Sequence, residues 1–170
     1  MSSLADVFSA INRLRDASVI DEYAVGGATA VLFYAEPSRT YDLDVFVVVR
    51  PEHERGPAPL AGIYEWARQE GYEAQAEHIL ICGVPVQFLP AYSSLVEESV
   101  REARTHTYGS TAVRVVGPKH LIALALQAGG AKRRERAYQL LEAGGIDRVR
   151  LRDILARHAI PGTVLDDDAR

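Results

Sequence analysis

Hydrophobic and polar residues alternate along the chain with two different periods, and these periods predict an order of helices and strands. Apolar residues recur at helical spacing over 4–14, the apolar strand 23–25 follows, and a second helix covers 28–34. Further strands are predicted at 42–49, 72–81, 84–89 and 111–116. A surface loop is predicted over 50–59, and helices are predicted at 60–70, at 95–104 with Ser93 or Ser94 as its cap, and at 119–128. Two more helices are predicted, one ending at Gly144-Gly145 and a last one capped by Asp147.

This order of elements predicts an α/β (α+β) fold, in which a mixed β-sheet is flanked by helices and the C-terminal part is helical. The order α-β-α-β-α-β-β-α-β followed by three helices has no regular βαβ repeat, so a doubly wound parallel sheet is not expected. We predict a core over 1–118 with C-terminal helices over 119–170 packed on it. The alternative is one continuous domain over 1–160 followed by an acidic tail.

The predicted strand 42–49 is apolar on both faces, so we expect it to be buried, yet it begins with two acids. Such a conflict between charge and burial is expected at a functional site. Asp42 and Asp44 are two positions apart, so their carboxylates leave the same face of the strand. Gly26-Gly27 joins strand 23–25 to a helix start, where free N–H groups and missing side chains let a phosphate approach closely. Together these features predict a site for a divalent metal and a nucleoside triphosphate.

Composition and charge change this picture little. The 170 residues are 48% hydrophobic and 25% charged, as in ordinary globular proteins, and the net charge of -4 argues against a general nucleic-acid coat protein. Cys82 is the single cysteine, so neither an intramolecular disulfide nor a cysteine-based zinc site is expected. No apolar run approaches the roughly 20 residues of a membrane span and no signal peptide is evident, so we expect a cytoplasmic protein without a membrane partner.

The glycine pair, the short helix and the run TYDLD resemble the signature of the polymerase-β-like nucleotidyltransferase superfamily. That signature is a hydrophobic residue, Gly-Gly or Gly-Ser, a spacer, and Asp-x-Asp. With Ser38-Arg39 before the acids, and VPVQFLP and VRVVGPKHLIALALQAGGAK after them, the chain looks most like the small (minimal) bacterial nucleotidyltransferases associated with abortive infection and toxin–antitoxin pairs. The resemblance covers roughly residues 20–142.

The resemblance implies a nucleotidyltransferase fold and a Mg²⁺-dependent enzyme that transfers a nucleoside monophosphate from a triphosphate to a hydroxyl of RNA, tRNA included, or of protein. Asp42 and Asp44 would then be the catalytic residues and would hold up to two Mg²⁺ ions. A cognate antitoxin-like protein is a further implied partner. The implied nucleotide-binding residues are Gly26, Gly27, Ser38, Arg39 and Lys132.

The chain departs from the resembled family at Gln87, where family members usually carry a third carboxylate. An amide oxygen is a weak metal ligand and cannot act as a base at neutral pH. Three interpretations stay open: slower catalysis with two acids, replacement by Glu77 or His78, or nucleotide binding without chemistry. A two-residue turn at Cys82-Gly83 would put His78 across from Gln87. The alternative function is therefore a catalytically degenerate module that binds nucleotide or regulates a partner.

Two further groups of polar residues receive only simple interpretations from the sequence. Lys132 begins a basic segment over 132–136, whose arginines replace the carboxylates often found there in the family and would strengthen anion binding. His120 is interpreted as packed or exposed rather than as a ligand. The remaining isolated histidines are interpreted as incidental, namely His53, His106 and His158.

Overall fold

The described part of the chain forms one mixed, seven-stranded sheet with helices packed on it. A computed structural model describes residues 4–35, 42–54 and 58–166. The strands are β1 (Glu22–Val25), β2 (Leu43–Val48), β3 (Glu73–Gln75), β4 (His78–Ile81), β5 (Val84–Pro90), β6 (Arg104–Tyr108) and β7 (Thr111–Val115). The helices are α1 (Leu4–Asp16), α2 (Gly27–Val31), α3 (Pro51–Glu54), α4 (Ala61–Gln69), α5 (Ser94–Arg101), α6 (Pro118–Ala128), α7 (Ala131–Glu142) and α8 (Arg148–Arg157), and a 3-10 turn spans Thr163–Leu165.

The strand order is β3-β4-β5-β2-β1-β7-β6, which places β2 in the middle of the sheet. It pairs antiparallel with β1 and parallel with β5, while β1 pairs parallel with β7. Leu43, Val45 and Val47 are almost completely buried, and Phe46 and Val48 on the other face are buried as well. The predicted mixed sheet and the predicted central, two-sided burial of this strand are therefore confirmed.

Helices cover the sheet through apolar residues at helical spacing. On α1, which contacts β7, Phe8, Ile11 and Leu14 are fully buried. The helix α6 contacts α2, α5, α7 and α8, so the C-terminal helices join the main body through it. The division into 1–118 and 119–170 stays a prediction. No helix in the described ranges is both long and apolar enough to span a membrane.

The sequence prediction missed the strand β6 and the turn that divides the predicted strand 72–81, because the residues there are mostly exposed and polar. The predicted strand 72–81 is in fact the hairpin of β3 and β4, and all three residues of β3 are exposed. The predicted helix 95–104 ends at Arg101, and the next residues form β6, which pairs antiparallel with β7 at the sheet edge. An edge strand without a buried face shows no apolar alternation, so backbone pairing alone identifies it.

Several local predictions are confirmed at the level of single residues. The Oγ of Ser93 accepts a hydrogen bond from the Val96 N–H at the start of α5, and Asp147 caps α8 in the same way. Cys82 and Gly83 both have positive φ, at 51° and 78°, as a type I′ hairpin turn requires. The helix α2 ends at Val31, earlier than predicted, and the short helix α3 lies inside the predicted 50–59 loop.

Candidate functional site

The candidate site lies where β1 ends and β2 begins, and antiparallel pairing brings these two points together. Val25 of β1 pairs with Val45 of β2, so the continuation of this register puts Gly26 opposite Asp44. The Gly26 N–H donates to the Asp44 carbonyl at 2.9 Å, and Thr29 Oγ1 donates to the Asp42 carbonyl at 3.2 Å. These two bonds fix the glycine turn against the acidic start of the central strand.

The space beside both glycines is filled by side chains of β2. A methyl group on Gly27, whose φ is 59°, would overlap the carboxylate of Asp44, and one on Gly26 would overlap the ring of Phe46. Neither overlap can be relieved cheaply, since both β2 side chains start from a central strand. Both glycines are therefore required here, because a Cβ on Gly27 would displace the Asp44 carboxylate and one on Gly26 would displace the Phe46 ring.

The carboxylates of Asp42 and Asp44 repel each other, and Asp44 is partly buried. Burial raises the pKa of Asp44, and the nearby charge of Asp42 raises it further, while Arg136, His78 and Arg133 act in the opposite direction. Asp42 itself is half exposed, with 51% of its side chain accessible. Two neighbouring carboxylates, one of them partly buried, offer oxygen ligands to a hard dication, whose charge would relieve their repulsion.

The neighbouring strands place Gln87 and His78 beside these acids. In the parallel pairing of β2 with β5, Gln87 stands directly next to Asp44. The register of β4 with β5, continued by one position, puts His78 opposite Gln87, as the sequence predicted. The His78 Nε2 lies 3.7 Å from Asp42 Oδ2 and is a buried nitrogen without a hydrogen-bond partner among the described residues.

A basic wall from α7 faces the acids. Gly129 and Gly130, at φ of 72° and 89°, turn the chain from α6 into α7, and this turn belongs to the cleft. Arg133 and Arg136 are three residues apart on one face of α7, which brings both guanidinium groups toward Asp44. The side chains that line the cleft are Asp42, Asp44, Lys132, Arg133 and Arg136. This arrangement is suited to a polyanion bound together with a cation.

An apolar cavity adjoins the cleft, and Asp44, Arg133 and Arg136 border both spaces. Tyr92 is 69% exposed at this cavity although it carries a large aromatic ring. The other apolar side chains that line the cavity are Phe46, Leu89, Leu121, Leu124, Ala125 and Ala128. A ligand with a charged part and a flat apolar part would match the two spaces.

The structure brings together most of the residues that the sequence singled out. These residues are Gly26, Gly27, Asp42, Asp44, Gln87 and Lys132. Ser38 and Arg39 lie outside the described residues. The sequence treated the arginines after Lys132 only as added positive charge, whereas Arg133 and Arg136 face Asp44. Their three-residue spacing on a helix was the available signal. The assigned roles of all these residues stay predictions.

A second polar cluster lies on α5, α6 and α8. Arg157 donates to both carboxylate oxygens of Glu98, at 2.8 and 3.0 Å, while the Nε2 atoms of His120 and His158 lie 3.0 and 2.9 Å from them. Hydrogen bonds from Arg157, and then from the histidines, hold the pKa of Glu98 far below its usual range. The interpretation of His158 as incidental is wrong, because its Nε2 contacts the Glu98 carboxylate. The sequence could not indicate this contact, since only folding brings the two residues together. His120 is buried, as one of its two interpretations held.

Comparison with known proteins identifies the fold. The sequence matches no protein-family model and no curated protein. An antigenic nucleotidyltransferase-like protein from Paracoccidioides brasiliensis matches with a TM-score of 0.55 and 18% identity, over 91% of this chain and 86% of that one. ANT(2'')-Ia in complex with adenylyl-2''-tobramycin matches with a TM-score of 0.55 and 12% identity, over 92% and 99% of the two chains.

The solution structure of the antibiotic-resistance factor ANT(2'')-Ia matches in the same way, with a TM-score of 0.53, 13% identity, and coverage of 91% of this chain and 90% of that chain. The chain therefore has the nucleotidyltransferase fold, as its resemblance to that superfamily implied. At these identities the likeness concerns the fold alone. Membership in the minimal, abortive-infection group stays a prediction.

Proposed function

We propose that this chain is a metal-dependent nucleotidyltransferase that moves a nucleoside monophosphate from a triphosphate to an acceptor hydroxyl. The observation that carries the proposal is the position of Asp44, against the glycine turn on one side and facing Arg133 and Arg136 on the other. The fold gives support, since one solved neighbour, ANT(2'')-Ia, is in complex with adenylyl-2''-tobramycin.

The residues present fit a hard divalent metal. Asp42 and Asp44 offer carboxylate oxygens, and Gln87 beside Asp44 offers a weak neutral one. The absent Cβ of Gly27 leaves the Asp44 carboxylate lying against the turn. When bound, Mg²⁺ ions there would neutralise charge on the triphosphate and favour an in-line attack.

Side chains of the cleft bind the triphosphate and stabilise the leaving group. Gly27 leaves room for the Asp44 carboxylate beside the turn. The basic side chains that line the cleft, Lys132, Arg133 and Arg136, attract the polyanion and stabilise the pyrophosphate that leaves. The acceptor oxygen bonds to the α-phosphorus as the bond to the pyrophosphate oxygen breaks. Gln87 cannot accept the acceptor's proton, so this proton passes to solvent, and we expect slow turnover.

The acceptor that we propose is a hydroxyl of RNA, tRNA included, or of protein. Mg²⁺ as the metal, an antitoxin-like partner and a cytoplasmic location belong to the same proposal, because all follow from the resemblance to minimal nucleotidyltransferases. The basic side chains of α7 agree with a nucleotide ligand.

Transfer of labelled nucleotide tests this proposal directly. The wild type is incubated with Mg²⁺, each labelled triphosphate in turn, and either total RNA or total protein. We expect label in one acceptor class, and its loss in the double variant Asp42→Ala, Asp44→Ala. Asp153→Asn removes an exposed acid on α8 and serves as the matched control. Absence of transfer by the wild type, or equal transfer by the double variant, would contradict the proposal.

The second candidate is a nucleotide-binding or regulatory module without turnover. It is favoured by the place of Gln87, which stands next to Asp44 where the resembled family carries its third acid. Calorimetry that detects Mg²⁺-dependent nucleotide binding, with no transfer to any acceptor, would favour this candidate. Transfer that appears only in Gln87→Glu would show that the missing carboxylate is the cause.

A further inference from the structure

We propose that His78 is a metal ligand in this chain and that its imidazole takes over the coordinating role lost at Gln87. His78 and Asp42 would then share one ion beside Asp44, and this mixed carboxylate–imidazole set favours a first-row transition-metal dication, tested below as Mn²⁺, over Mg²⁺. This inference rests on the proposed function, because it concerns the metal held by the same two aspartates.

The first argument is the state of the His78 side chain. Its Nε2 atom is buried and has no hydrogen-bond partner within the described ranges, although 24% of the His78 side-chain surface is exposed. Leaving a buried polar atom unsatisfied costs about 1–3 kcal/mol, so such an atom in a folded protein calls for a partner. The 3.7 Å gap to Asp42 Oδ2 is too long for a hydrogen bond.

The second argument is that this gap fits two ligands of one ion. Imidazole nitrogen and carboxylate oxygen bind first-row dications at about 2.0–2.2 Å. Two such atoms on one ion therefore lie no more than about 4.4 Å apart. The separation of 3.7 Å between His78 Nε2 and Asp42 Oδ2 falls inside that reach without any movement of the backbone.

The third argument is the row of side chains across the sheet. Asp44 pairs with Gln87 in the β2–β5 ladder, and continuing the β4–β5 ladder pairs Gln87 with His78. Residues paired directly across neighbouring strands point to the same face of a sheet. His78 therefore reaches the face of the two acids from the strand beyond Gln87, on the same side as the missing carboxylate.

The fourth argument concerns which metal such a set would prefer. With Gln87 neutral, the aspartates contribute two negative charges instead of the three of a carboxylate triad, which weakens the attraction for Mg²⁺. A neutral imidazole nitrogen favours later first-row dications, and affinity rises from Mn²⁺ onward in the general order. The sum of these effects favours a transition-metal dication over Mg²⁺.

Pulsed EPR and calorimetry on the full chain test this inference. Mn²⁺ is added with a non-hydrolysable nucleoside triphosphate analogue, and nitrogen-14 coupling from a coordinated imidazole is measured. We expect that coupling in the wild type, together with Mn²⁺ affinity at least about tenfold above Mg²⁺ affinity. His78→Ala should abolish the coupling and weaken Mn²⁺ at least about tenfold, the lower limit for loss of even an outer-shell partner.

Two variants sharpen the test. Glu77→Gln removes the neighbouring exposed carboxylate in the β3–β4 turn and should keep the coupling and the affinity. Gln87→Glu restores a third acid and should move the preference toward Mg²⁺. Circular dichroism checks the fold of each variant, and the wild-type coupling is informative whether or not a variant folds.

The outcomes separate this inference from the proposed function. Mn²⁺ bound without imidazole coupling, or coupling that survives in a folded His78→Ala, would overturn the role of His78 and leave the two-aspartate site standing. Absence of both Mn²⁺ and Mg²⁺ binding in the presence of the analogue would overturn both.

Discussion

The cleft at Asp44 and the cluster at Glu98 contain the same kinds of side chain in opposite states. Both oxygens of Glu98 have close donors, from Arg157 at 2.8 and 3.0 Å and from two histidines at about the same distance. In the cleft, Asp44 is partly buried beside another acid, and the Nε2 of the neighbouring His78 has no hydrogen-bond partner among the described residues. The Glu98 cluster ties helices together, whereas the cleft has the features of a candidate ligand site.

Proximity alone favours the Glu98 cluster as a metal site, whereas the hydrogen bonds made in each cluster favour the cleft. One ligand atom from each of Glu98, Glu102 and His120 lies within 4.8 Å of the others, which is within reach of a single metal ion. An ion there would have to displace the guanidinium of Arg157, which already binds Glu98 through two hydrogen bonds. These hydrogen bonds support a structural role for the Glu98 cluster, which the distances alone do not indicate.

The largest effect on stability is expected from Glu98→Gln. The change leaves Arg157 and the two histidines without their shared counter-charge, and we expect the free energy of unfolding to fall by about 2 kcal/mol. The loss stays below that of a fully buried pair because Arg157 is 46% exposed. Chemical denaturation measures this loss of unfolding free energy. The matched control is Glu65→Gln, which removes the acid of an exposed ion pair within one helix. An unchanged denaturation midpoint in Glu98→Gln would show that this cluster does not stabilise the fold.

The same cluster predicts a pH dependence with a definite sign. The folded-state pKa of Glu98 lies below its usual value of 4.5, so its contribution to stability is complete above that value. It is lost progressively as the pH falls below 4.5 toward the folded-state pKa, since the unfolded chain takes up the proton first. The difference in unfolding free energy between wild type and Glu98→Gln should therefore shrink in acid. A difference that grows below this pH would contradict the assignment.

In the cleft, Arg136→Ala should weaken nucleotide binding by about tenfold, because one cation of the basic wall is lost near the phosphates. Arg134→Ala is the matched control, since the cleft lining includes Arg133 and Arg136 but not this residue. Calorimetry with a triphosphate measures both. Equal losses would mean that α7 attracts nucleotide only through its general charge.

The smallest expected effect has the opposite sign from that of Glu98. Asp44→Asn removes a carboxylate that burial and Asp42 disfavour, so the apo protein should become more stable by on the order of 1 kcal/mol. Thermal unfolding measures this, and Mn²⁺ or Mg²⁺ should raise the midpoint of the wild type but not of the variant. Destabilisation by Asp44→Asn would mean that the acid is structural, like Glu98.

The sequence predicted much of the architecture because burial leaves a strong pattern. The alternation through β2, the apolar face of α1 and the caps at Ser93 and Asp147 all rest on local rules, and all are confirmed. The strand β6 and the separation of β3 from β4 were missed because neither β3 nor β6 has a buried face. What identifies them is backbone pairing with a neighbour, which no local pattern records.

The candidate site divides in the same way. The sequence by itself determined the glycine pair, the two acids and the neutral Gln87, because each is unusual for the element in which it lies. Tertiary structure alone decided that Asp44 fills the space of a Cβ at Gly27, and that α7 turns Arg133 and Arg136 toward it. It also decided that His78 reaches Asp42 while His120 and His158 meet at Glu98. The physical reason is that strand register and helix packing, rather than residue type, determine which charged groups meet inside a fold.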